Sequence, residues 1–104
     1  MALKLNPESA ECYFNLASAQ FDKGALDQAK MNFMLAQEIN QDNPETHYQL
    51  GLIAEREAQD AITNRQSQSL QDEHLQKAEK FFSRTLELDD KHQKAKEALR
   101  RVSK

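Results

Sequence analysis

One cysteine, two glycines, two prolines and no tryptophan are spread over 104 residues. A lone thiol cannot close an internal disulfide, and so few turn formers argue against both an all-β fold and a low-complexity linker. No run of apolar residues approaches the roughly 18 to 20 that a membrane span needs. The opening Met1-Ala2-Leu3-Lys4-Leu5-Asn6-Pro7 also lacks the apolar core of a secretory signal. The expected compartment is therefore intracellular and reducing, with the cytoplasm as the default. Excess charge is missing as well, because a net −3 is too small to draw the whole chain to nucleic acid or to a membrane. His47, His74 and His92 stand far apart without Cys/His ligand spacing, so no metal is expected. Cys12 has no base in its sequence neighbourhood and reads as a small packing residue. With no Gly-rich phosphate loop and no G-x-S-x-G elbow, neither an enzyme nor a cofactor is indicated.

What is present is a repeat. Tyr13-Phe14-Asn15-Leu16-Ala17 returns 34 residues later as His47-Tyr48-Gln49-Leu50-Gly51. After the first block, Leu26, Ala29, Phe33, Ala36 and Ile39 keep the 3.6-residue period of a helix, and Gly24 breaks them from the helix before. Ala17, Ala29 and Ala36 are small enough for two helices to approach closely. A pair built this way leaves one apolar flank open until something stacks on it.

The 34-residue period, together with the A-x3-F pairs Ala29/Phe33 and Ala78/Phe82, resembles the tetratricopeptide repeat (TPR). The resemblance implies an all-α solenoid of antiparallel helix pairs, with two repeats, the second with lengthened helices, plus a C-terminal capping helix. Residues 1–9 are expected to be the tail end of a preceding repeat, as in the C-terminal fragment of a longer array; a short natural arm is the alternative. Repeat one then spans 10–43, with helices over about 10–23 and 26–40. Repeat two spans 44–90.

In register, the alanine opening the second helix of repeat two belongs at 63, yet it is Ala78, so 15 residues are inserted. Leu50, Ile53, Ala54, Ala58, Ala61 and Ile62 keep helical spacing past the expected turn, and Ser69 with Asp72 looks like an N-cap and its acid. Two lengthened helices meeting near Thr63–Gln68 are expected, against the alternative of a Gln-rich loop. After Leu88 a last helix is expected to begin at Asp89-Asp90, with Ala95, Ala98, Leu99 and Val102 as its one apolar stripe, making residues 91–104 a cap.

In TPR proteins the first helices of successive repeats line a concave face that binds peptides. Carried over by position, the resemblance names Glu11, Phe14, Asn15, Ser18, Phe21 and Asp22 in repeat one, and Glu45, Tyr48, Gln49, Leu52, Glu55 and Arg56 in repeat two. Carboxylates among aromatic and aliphatic anchors suit a protein or peptide with basic and apolar side chains. Phe14 and Tyr48 serve equally well as core, and Phe21 is more often core. The clamp that grips a C-terminal carboxylate in co-chaperone TPRs is not reproduced, because Phe14, Ser18 and Ala98 replace its polar and basic groups. The expected function is a protein-interaction scaffold; the alternative is self-association through the open N-terminal flank and the long hairpin. Lys91, Lys94, Lys96, Arg100, Arg101 and Lys104 have no aromatic residue between them to stack on a base, so nucleic acid is a weak third.

Overall fold

Chemistry at the helix ends divides the chain. A computed structural model describes residues 7–102, with side chains from Ala10 onward. The described residues form five α-helices and no strand: α1 Pro7–Asp22, α2 Leu26–Ile39, α3 Pro44–Thr63, α4 Gln68–Leu88 and α5 Gln93–Val102. The reading of residues 1–6 as part of another repeat lies outside them.

α1 ends on a Schellman motif. The amide of Ala25 reaches the carbonyl of Gln20, the amide of Gly24 reaches Phe21, and Gly24 takes φ 82°, where a residue without Cβ is unstrained. The same bonds end α3, from Gln66 to Ala61 and from Arg65 to Ile62, but here Arg65 holds the left-handed conformation at φ 54°. The inserted region is therefore helix up to a tight turn, as its spacing predicts. α4 is capped by Ser67, whose hydroxyl accepts the Leu70 amide at 3.2 Å. This corrects the expectation for Ser69, which lies inside the helix because the Schellman turn uses only four residues. Gln68 instead donates to Asp72, one turn on.

The last helix also starts later than Asp89-Asp90. Asp89 closes the end of α4 and accepts the Lys91 amide, repeating what Asn40 does with Asp42 after α2. Asn43 then caps α3, and His92, in the matching place, caps α5 by accepting the Ala95 amide on Nδ1 at 3.0 Å.

Packing follows the small residues. Ala17, Ala29, Phe33, Leu50 and Ile53 form one buried cluster, with Phe14 and Phe21 against it. Ala54, Ala78, Phe82, Ala98 and Val102 form the second, and Phe81 touches both. α3 is thus shared, one side closing the first helix pair and the other receiving α4 and α5. Ala95, Ala98 and Val102 are buried, so α5 covers the flank of the second pair as its stripe requires. α3 and α4 are 20 and 21 residues long against 16 and 14 for α1 and α2. At 1.5 Å per residue α4 is about 10 Å longer than α2.

Candidate functional site

The expected face is built by α1 and α3, and α5 joins it. On α1, Glu11, Asn15 and Asp22 are exposed and Ser18 is half-buried. Phe14 is committed elsewhere: its ring meets Phe33 edge-on at 5.4 Å, and Phe21 also leans on the first cluster. On α3, Glu45 and Arg56 are exposed, while Tyr48, Gln49, Leu52 and Glu55 are half-buried. Tyr48 and Leu52 rest on the second cluster.

α5 draws part of this face together. Arg101 lays its Nε and one Nη on the two oxygens of Glu55, at 2.9 and 2.8 Å, the two-pronged geometry that suits a guanidinium and a carboxylate. His92 approaches Glu45 through Nε2 at 2.5 Å, and its ring lies 4.8 Å from that of Tyr48. Because Nδ1 accepts the Ala95 amide, the neutral tautomer carries its proton on Nε2 and donates it to Glu45. Burial pushes the Tyr48 phenol above its ordinary range, with Arg101 opposing, and the hydrogen bonds to Glu55 hold Arg101 further into its charged form. Glu45, Tyr48 and Glu55 thus belong to one cluster with His92 and Arg101, whereas the α1 residues stand apart from it.

Neither His92 nor Arg101 was among the expected site residues. The signal was available in the repeat offset: Ser18, Leu52 and Arg101 are successive occupants of one position once the 15 inserted residues are allowed for.

A second concavity lies between α2 and α4 over α3. It encloses about 850 Å³ and is walled by Met34, Phe81, Lys80 and Arg84 above Leu50 and His47. His47 is buried, with Nε2 at 2.9 Å from the Gln41 carbonyl and Nδ1 at 3.3 Å from the Gln37 amide, so both ring nitrogens are spent on structure. Cys12, expected to pack, is exposed, because no described element covers the outer side of α1. Among the described residues no group of three His, Cys, Asp or Glu could hold a metal ion, and no helix is long and apolar enough to cross a membrane.

Residues 10–43, which contain α1, its Schellman turn and α2, match the family model for the tetratricopeptide repeat. That segment is similar to one tetratricopeptide repeat. Among solved structures, the first TPR of Spaghetti (RPAP3) bound to HSP90 peptide SRMEEVD is similar at 18% identity and a TM-score of 0.43, covering 98% of this chain and 96% of that one. No curated protein matches the chain.

Proposed function

We propose that this chain is a TPR-type interaction scaffold whose α1/α3 face binds a segment of a partner protein by rigid presentation, without a catalytic step. Residues 10–43 would be its first repeat, 44–90 a second extended by 15 residues, and 91–104 the cap. The observation that carries the reading is the grip of Glu55 on Arg101 beside the Tyr48–His92 pair. This face already binds basic side chains within its own chain, so the same chemistry suits a partner with Lys or Arg between apolar residues. Glu45 and Glu55 are engaged by α5, and Glu11 and Asp22 are exposed carboxylates on α1. The partner's bases would therefore settle first over α1, with Asn15 and Ser18 supplying hydrogen bonds between them.

The test is selection from a displayed random-peptide library on the full chain, followed by affinities for the enriched peptides. Enrichment of basic and apolar residues is expected, with affinity lost in Glu11→Lys/Asp22→Lys and kept in Met34→Glu, which alters the cleft behind. Peptides that depend on Met34 and ignore Glu11 and Asp22 would reject the face. Self-association is the second reading, favoured by the half-exposed Leu16 on the open flank and Ile62 at the hairpin tip. A monomeric mass at micromolar concentration would dismiss it.

A further inference from the structure

α2 and α4 are two walls that do not meet. Among the described residues no Cα of one lies within 8 Å of a Cα of the other, and α3 floors the cleft between them with Leu50 and Ala54. Met34, 50% exposed, stands on the α2 wall, and Phe81, which leans on both buried clusters, stands on the α4 wall. The first of those clusters contains Ala29 and Phe33 of α2, so the flank of α4 that carries Phe81 is the one turned to α2. Residues three and four apart share a helix face, which puts Lys77 and Arg84 on that same flank, one on either side of Phe81. Lys80 on α4 and Lys30 on α2 bring further positive charge to the cleft. The acids that border it are engaged or turned outward. Glu57 accepts from Lys30 at 3.4 Å, Glu87 accepts from Arg84 at 2.9 Å, and Glu79, two residues from Phe81, lies around the helix at the outer rim. Lys77 reaches Glu73 only at 3.9 Å, and Lys80 has no ion-pair partner among the described residues.

We propose that this cleft docks an acidic amphipathic helix of a partner protein, laid between α2 and α4. The cleft shares no residue with the α1/α3 face. Its spacing defines the occupant: Lys77 and Arg84 are two turns, about 10 Å, apart along α4, with Phe81 between them. A helix lying along the cleft meets them with two carboxylates seven residues apart, and meets Phe81 and Met34 with an apolar residue three or four places after the first. That is the helix-in-groove mode, and the unbranched Met34 adapts to whichever apolar side chain enters. A second copy is a poor occupant. Within the helices of this chain, acids seven apart with an apolar residue so placed occur at Asp72 and Glu79 of α4, and the Leu75 between them already rests on the second cluster.

The probe is a fluorescent peptide held helical by a side-chain bridge on its outward face, with two Glu seven apart flanking a Leu; its counterpart has Lys in place of both Glu. The full chain should bind the acidic peptide about tenfold more tightly than the basic one, the scale of two exposed ion pairs exchanged for two repulsions. The chain's net charge of −3 would by itself favour the basic peptide, so the preference reports the cleft. In the Lys77→Glu/Arg84→Glu chain the preference should invert with the helical signal intact, since these side chains are 49% and 47% exposed. Met34→Glu should weaken the acidic peptide at least about tenfold, as loss of a central apolar anchor does. Equal affinities for the two peptides, no binding of either at millimolar concentration, or an acidic preference kept in the Lys77→Glu/Arg84→Glu chain would overturn the proposal. So would a doubled mass without peptide that Met34→Glu returns to the monomer, which would make a second copy the occupant.

Discussion

Gly51 offers a quantitative test of how tightly the second helix pair is closed. It lies mid-way along α3, where Ala would ordinarily add about 1 kcal/mol of helix stability over Gly. A Cβ built there, however, falls 2.5 Å from Cε1 and 2.7 Å from Cδ1 of Phe82. The Phe82 ring is fully buried and 5.9 Å from Tyr48, so it cannot swing into solvent to make room. Forcing an extra methyl into a filled core costs about 1–3 kcal/mol. With contact this short the upper half of that range applies, and Gly51→Ala should destabilise the chain by about 1–2 kcal/mol net of the propensity gain. For a domain of this size that lowers Tm by roughly 5–15 °C. Thermal unfolding followed by circular dichroism reads this directly. In a Phe82→Leu background the clash is relieved and the same change should be neutral or stabilising, a coupling of at least about 1 kcal/mol between the two sites. Repeat one provides the comparison, since Ala17 occupies the matching position and is buried beside Phe33. A wild-type Tm in Gly51→Ala, or additivity with Phe82→Leu, would refute the argument.

Arg65→Gly should raise stability by about 1 kcal/mol in chemical denaturation, because it removes the left-handed strain that Gly24 avoids in the equivalent turn; a destabilised variant would mean that the Arg65 side chain matters more than its backbone. Ala61 is buried inside α3, so Ala61→Pro should cost about 3 kcal/mol or more, and an unchanged urea midpoint would leave the loop reading of the insertion standing. Tyr48 has a raised pKa in the fold, so its stabilising effect is complete below the unfolded value near 10.0 and lost as pH rises through the higher folded value. Absorbance at alkaline pH should show a tyrosine step above that value, and Tyr48→Phe should remove it.

The fold was legible in the sequence wherever side-chain size and period decide it. Ala29, Phe33, Ala78 and Phe82 are all fully buried, in the roles that the A-x3-F pattern implies. The insertion was legible as helix because Ala54, Ala58 and Ala61 continue one buried stripe. Helix starts were harder, since the competing serines Ser67 and Ser69 are chemically equal and only the preceding left-handed turn selects Ser67. At the expected face, contacts between distant segments were not legible: that Glu55 meets Arg101, 46 residues away, depends on where α5 comes to rest. Cys12 misled because repeat position alone does not tell whether a neighbour covers the residue.

The narrow seam between α2 and α3 sets the order in which this molecule comes apart and together. α1 with α2, and α3 with α4, are hairpins of residues near in sequence, and each can close with little loss of chain entropy. The seam between them includes Phe33 on Leu50 and Ile53 with Phe81 against the same cluster, the Gln37–His47 bond and the Lys30–Glu57 pair. It should be the last native contact to form and the first to yield, so that amide exchange separates two cooperative units along this line. The α3–α4 unit, with the longest helices and α5 across it, would be the slower to exchange. Mechanical or chemical stress would then open the molecule like a book at residues 40–43, with both halves still helical.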